Sequence, residues 1–77
     1  MAKRTGSLGT VLLKKELQRR EMKQTALADA LSDVLGEKVR QSYVWSLLQG
    51  AEPGIVRAMA LKRILRIPLT SWTEPRP

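Results

Sequence analysis

Four segments of this chain carry apolar residues at the spacing of an α-helix, and this spacing constrains the fold more than any other feature. A helix brings positions three and four apart onto one face, whereas a strand alternates its side chains between two faces. No stretch of strand length alternates between apolar and polar residues. The sequence therefore predicts an all-α domain of four helices, with a short fifth turn near residues 69–72.

Glycine and proline set the predicted limits of these helices. Gly36 and Gly50 are typical of helix ends, Pro53 suits the first turn of a helix, and Pro68 cannot continue one. The predicted helices cover residues 8–20, 24–35, 40–49 and about 53–67. We expect residues 1–7 to be a flexible basic arm, residues 8–72 to be the domain, and residues 73–77 to be a tail.

The apolar residues of the predicted helices have to supply one aliphatic core, because the 77 residues include only two Trp, one Tyr and no Phe. In the fourth helix the spacing predicts one shared buried face. Its expected members are Ile55, Val56, Met59, Ile64 and Leu65.

The charge balance gives the first functional indication. Fourteen Lys and Arg against seven Asp and Glu give a net charge of +7, with an isoelectric point near 10.6. A small domain this basic has the electrostatic footprint of a nucleic-acid binder. Residues 24–51 have a net charge of only −1, so sequence reading in that segment would depend on polar side chains.

Composition argues against other functions. Histidine and cysteine are absent, which excludes Cys/His zinc sites, disulfides and catalysis by either residue. No Gly-rich phosphate loop or paired carboxylates indicate an enzyme, and we expect no cofactor and no small-molecule ligand. No apolar run approaches the roughly 18 residues of a membrane span, and no signal-peptide segment follows the N-terminus. The expectation is a cytoplasmic protein without membrane contact.

The most informative pattern lies in the second and third predicted helices. It reads Gln-x-x-Leu-Ala from residue 24 and Gln-Ser-x-Val-x-x-Leu-x-x-Gly from residue 41. This pattern resembles the helix-turn-helix of the phage Cro and lambda-repressor-like family, and the resemblance extends over about residues 8–72. It implies a sequence-specific double-stranded DNA-binding regulator, of the phage or mobile-element repressor type, that inserts the helix around 40–49 into the major groove.

The resemblance implies roles for Gln24, Gln41, Ser42, Tyr43 and Ser46, and the outward face of the third helix and the basic residues that flank the motif supply the other candidates. The base-reading positions would be Gln41, Ser42, Trp45, Ser46 and Gln49. The DNA-backbone contacts would be Lys3, Arg4, Lys23, Gln24, Thr25, Arg40 and Tyr43. Tyr43 could equally be a packing residue, and Trp45 could instead pack under the preceding loop.

The chain departs from the family pattern in three places. Ala28 and Gln41 are about six residues further apart than in the family, so segment 32–39 either extends the second helix or forms a longer loop. Leu17 and Leu48 occupy positions where many members have an Arg–Glu ion pair. Lys23 and Arg40 stand where Ser or Thr often caps a helix.

Assembly and two alternatives remain open at this stage. One recognition helix covers only a few base pairs, so we expect a homodimer, formed in solution or only on DNA. Ile67, Leu69 and Trp72 are the candidate interface, although Trp72 could instead cap the core. The main alternative function is a protein-binding helical module of antirepressor or antitoxin type. RNA binding is less favoured because aromatic stacking residues are scarce.

Overall fold

A computed structural model describes residues 6–74, and in this range it contains four α-helices, one 3-10 turn and no strand. The all-α prediction is therefore confirmed. The helices are α1 (Leu8–Arg19), α2 (Gln24–Leu35), α3 (Gln41–Leu48) and α4 (Ile55–Leu65), followed by the 3-10 turn Leu69–Trp72. Each limit lies within about two residues of the prediction. Lys3 and Arg4, which belong to the predicted arm, are outside the described residues.

The helix ends have local causes. Gly36 follows α2 with a φ of +70°, and its N–H donates to the carbonyl of Ser32. That left-handed conformation costs an L residue other than Asn or Asp roughly 1–2 kcal/mol, and glycine adopts it freely. Arg66 ends α4 in the same left-handed region, at a φ of +59°, before the Ile67–Pro68 bond.

A single aliphatic core joins all five elements. α2 packs against α3 and α4, while α1 packs against α3 and the 3-10 turn. Val44 and Leu47 are completely buried and anchor one face of α3 in the core, as the spacing predicted. The fully buried aliphatic side chains of the helices are Leu13, Leu27, Leu31, Val44, Leu47, Leu61 and Leu65.

The prediction that one face of α4 is buried along its whole length is wrong for the first half of the helix. Ile55, Val56 and Met59 are 74%, 64% and 56% exposed, whereas the buried side chains of α4 are Ala58, Ala60, Leu61 and Leu65. Apolar residues surround most of this helix, so their spacing alone does not select one face. The packing of α2 and the 3-10 turn selects the face with the small alanines, where helices approach closely.

The C-terminal turn is locked onto the start of α1. The Leu8 N–H donates to the Glu74 carbonyl at 2.9 Å, and Trp72 is only 4% exposed. A Cβ added to Gly9 would lie 2.4 Å from two carbons of the Trp72 indole, so the ring rests directly on the glycine backbone.

We expect Gly9→Ala to destabilise the domain by about 1–3 kcal/mol, because the added methyl overlaps a rigid ring. This cost exceeds the gain of about 1 kcal/mol from the better helix propensity of alanine. Gly54→Ala is the control for an added methyl that meets no heavy atom within 4 Å, and as the N-cap of α4 it should cost about 0.5–1 kcal/mol. Urea unfolding of both variants and of wild type measures the differences. A Gly9→Ala variant as stable as wild type would show that Trp72 does not require a glycine.

Candidate functional site

The loop between α2 and α3 sets the position of α3. Helix α2 continues to Leu35, and residues 36–40 then return to α3, so the enlarged segment both lengthens the helix and forms a loop. The Ser32 hydroxyl donates to the Ala28 carbonyl at 2.8 Å and accepts the Val39 N–H, also at 2.8 Å. Because Val39 is buried, this bond satisfies a donor that water reaches poorly.

A second set of contacts holds the same loop against α4. The Arg57 guanidinium lies 4.4 Å from the centroid of the Tyr43 ring and forms an ion pair with Glu37 at 3.2 Å. The Glu37 carboxylate raises the pKa of Arg57. These contacts join the loop, α3 and α4 through one side chain.

With this loop in place, the N-termini of α2 and α3 lie side by side. The Gln41 side-chain amide donates to the Gln24 side-chain oxygen at 3.1 Å across the two helices. Gln41 is exposed and Gln24 is half-buried. The pair forms a polar ridge at the surface, with further amide hydrogens and lone pairs free to meet a ligand.

Basic side chains surround this ridge. Lys14 and Lys23 line a depression on one side of Gln41, together with Leu17, Leu48 and the acidic Glu21. A second depression, on the other side, is lined by Lys38 and Arg40 with the acidic Asp29. Gln41 lines both depressions. The four cations contact neither of the two carboxylates in a salt bridge within residues 6–74.

Three other cations are engaged. Arg19 and Arg20 both hydrogen-bond to the Glu16 carboxylate, at 2.7 Å and 3.0 Å, and these bonds lower the pKa of Glu16 from 4.5 to about 2. Arg57 is paired with Glu37, as described above. Exposed cations without a salt bridge within residues 6–74 also lie along the second half of α4, so the ridge has one of two such groups.

Lys23 and Arg40 occupy positions that electrostatics disfavours. They are the N-cap residues of α2 and α3, and neither side chain forms a capping bond. The first turn of each helix also lacks an acidic residue. A helix N-terminus carries a partial positive charge, so a cation there is unfavourable by about 0.3–1 kcal/mol unless an anion is near. Two such sites side by side form a surface suited to an anionic ligand.

The outward face of α3 carries most of the predicted base-reading residues. Gln41, Ser42, Trp45 and Gln49 are exposed. Ser46 is half-buried, and its hydroxyl donates to the Tyr43 carbonyl at 2.7 Å. The Trp45 side chain is 54% exposed, so the alternative prediction, that Trp45 packs under the preceding loop, is wrong.

Two groups of predicted contact residues need correction. The Tyr43 hydroxyl is buried, which makes Tyr43 a packing residue and not a contact to a ligand backbone. Ile67 and Trp72 are 1% and 4% exposed, so they belong to the core of one chain and offer no dimer surface. Leu69 is half-buried. Lys23, Thr25 and Arg40 are exposed as expected.

Sequence spacing alone missed Lys14 and Lys38 as neighbours of the ridge. Both are exposed Lys residues with no motif of their own, and only the packing of α1 and the path of loop 36–40 bring them there. Leu17 and Leu48, aligned with a family ion pair, do line one shared depression.

No family model matches this chain, and neither a curated protein nor a solved structure gives a significant match. Within residues 6–74 no helix is both long and apolar enough to cross a membrane. In the same range no three Asp or Glu side chains come together as metal ligands would.

We expect Ser32→Ala to destabilise the domain by about 1–3 kcal/mol, because the buried Val39 N–H loses its acceptor. The matched control is Ser42→Ala on the exposed face of α3, which should change stability by less than about 0.5 kcal/mol. Thermal or urea unfolding measures both. Protection of the Val39 amide from hydrogen exchange should also fall in Ser32→Ala alone. Unchanged protection would contradict the role of the hydroxyl.

Proposed function

We propose that this chain is a sequence-specific double-stranded DNA-binding protein, a cytoplasmic transcriptional regulator whose helix α3 enters the major groove. The observation that carries the proposal is the Gln24–Gln41 ridge at two adjoining helix N-termini, with four basic residues around it. The α2–loop–α3 unit then acts as a helix-turn-helix with an enlarged turn.

The dimensions of α3 suit this role. Its eight residues make a helix about 12 Å long, comparable with the width of the major groove. The exposed amides of Gln41 and Gln49 can each pair with an adenine edge, which offers one donor and one acceptor. The Trp45 ring, next to them on the exposed face, can contact a thymine methyl group.

Phosphate binding explains the unfavourable N-caps. A phosphate beside the N-terminus of α2 or α3 would neutralise the cation and the helix dipole together. Lys14 and Lys38, in the two depressions that Gln41 lines, extend the positive potential around the N-terminus of α3, where phosphate contacts would position the helix. The low charge of α3 itself leaves base reading to polar groups, while its neighbours supply the electrostatic attraction.

The direct test is the salt dependence of duplex DNA binding. We expect Lys23→Ser and Arg40→Ser each to weaken binding to all sequences alike and to lower the salt slope by about one. The same variants should be more stable than wild type by about 1 kcal/mol, because serine caps a helix N-terminus. Fluorescence anisotropy across a salt series and urea unfolding measure the two effects.

Lys15→Ser is the matched control for this test, because Lys15 is exposed on the side of α1 that bears Glu16 and Arg19. It should leave the salt slope unchanged. Wild-type binding without any salt dependence would reject the DNA proposal and favour an apolar protein partner. If Lys15→Ser lowered the salt slope as much as Lys23→Ser, the proposed DNA interface around the Gln24–Gln41 ridge would be rejected.

Gln41→Ala tests sequence reading separately. We expect a loss of about 1–3 kcal/mol at the preferred site, a relaxed preference at one base pair, and an unchanged salt slope. Selection of bound duplexes from random DNA, with wild type and the variant, measures the preference. Thr70→Ala, which removes an exposed polar side chain from the 3-10 turn beside Lys62 and Arg66, is the control. An identical selected sequence for Gln41→Ala and wild type would show that α3 does not read bases there.

A further inference from the structure

The outer face of α4 is divided into an apolar half and a basic half. Ile55, Val56 and Met59 are more than half exposed in its first half, and they form the most exposed group of large apolar side chains in residues 6–74. Lys62, Arg63 and Arg66 are exposed in the second half. None of the five elements covers this face, and contiguous exposed apolar side chains of this kind mark interaction surfaces.

We propose that this apolar patch, Ile55, Val56 and Met59, is the contact surface between two copies of the chain, with the two α4 helices antiparallel. The inference rests on α4 alone and does not depend on what α3 binds. It replaces the interface expected at Ile67 and Trp72, which the core of a single chain already contains.

The position of the charges favours an antiparallel pair. The patch extends from Ile55 to Met59, so its midpoint is level with Arg57 along the helix. A twofold axis at this level brings Ile55 of one copy opposite Met59 of the partner subunit. Glu52 lies in the turn before α4 and Lys62 lies in the second half of α4, so the same axis brings the acidic turn of one copy towards Lys62 of the partner subunit.

Glu52 and Lys62 are both exposed, and neither forms a salt bridge within residues 6–74. An antiparallel pair brings the two opposite charges towards each other twice, once on each side of the axis, as an isologous interface requires. A parallel pair would instead set Lys62 against Lys62 and Arg63 against Arg63. Like-charge contacts of this kind oppose association, so the charges select the antiparallel arrangement.

The area of the patch sets the strength of the contact. A standard interface buries roughly 800 Å² on each partner, and three side chains with one ion pair at each end supply less than that. The dimer should therefore be weak and form only at high protein concentration. Leu69, half-buried beside Lys62 and Arg66, adds apolar area at one edge of the contact.

Sedimentation equilibrium of the full chain without DNA, up to about 1 mM, tests the proposal. Wild type should associate reversibly to a dimer, and Met59→Glu should weaken association at least tenfold. Trp45→Glu is the matched control: it places the same charge on an equally exposed apolar residue, on the side of α3 away from Tyr43 and α4. It should associate as wild type does, and circular dichroism of each variant checks folding.

A charge exchange tests the register. Glu52→Lys and Lys62→Glu should each weaken the dimer severalfold, and the double variant should restore it, because the pair is re-formed with opposite polarity. Wild type that stays monomeric at 1 mM would overturn the proposal, as would Met59→Glu that dimerises normally. A double variant no stronger than the single ones would overturn the antiparallel pairing. Each of these outcomes leaves the DNA test of Lys23 and Arg40 unaffected.

Discussion

The Ser32 hydroxyl is the contact on which the position of α3 depends. Segment 36–40 is long enough to follow many paths, and one side chain selects a single path by accepting the Val39 N–H while donating to Ala28. Arg57 supports the same loop from α4 through Glu37 and Tyr43. The exposed ion pair contributes little stability by itself. The buried N–H of Val39 therefore makes Ser32 the stronger constraint, and the Gln24–Gln41 contact follows from it.

The proposed interface divides its tasks between elements. Polar side chains that could distinguish ligands lie on α3, where the local charge is low, while the attracting cations come from α1, the N-caps and the loop. Lys23 and Arg40 would make both helices less stable in isolation, since each adds positive charge to a positive helix end. Such local cost at an exposed surface is typical of a functional site, because a ligand can offset it.

The sequence predicted the helices well because their signals are local. Gly36, Gly50 and Pro68 mark ends that depend only on neighbouring backbone, and Val44 and Leu47 leave no other buried face for α3. Prediction from the sequence failed where tertiary packing decides which side chains are buried or adjacent. Met59 has the spacing of a core residue but lies beyond the surface that α2 and the 3-10 turn cover. Lys38 joins the ridge only through the path of the loop, which no local pattern specifies.

The hydrogen bond between Leu8 and Glu74 joins the beginning and the end of the described chain. Together with Trp72 on Gly9, it brings the two ends of the described chain to one place, so the backbone nearly forms a closed ring. Such a chain can in principle be opened elsewhere, and the exposed turn around Glu52 and Gly54 is the suitable point because helices end on both sides of it. The chain on the N-terminal side of Leu8 and the chain on the C-terminal side of Glu74 therefore start from one location, next to the start of α1.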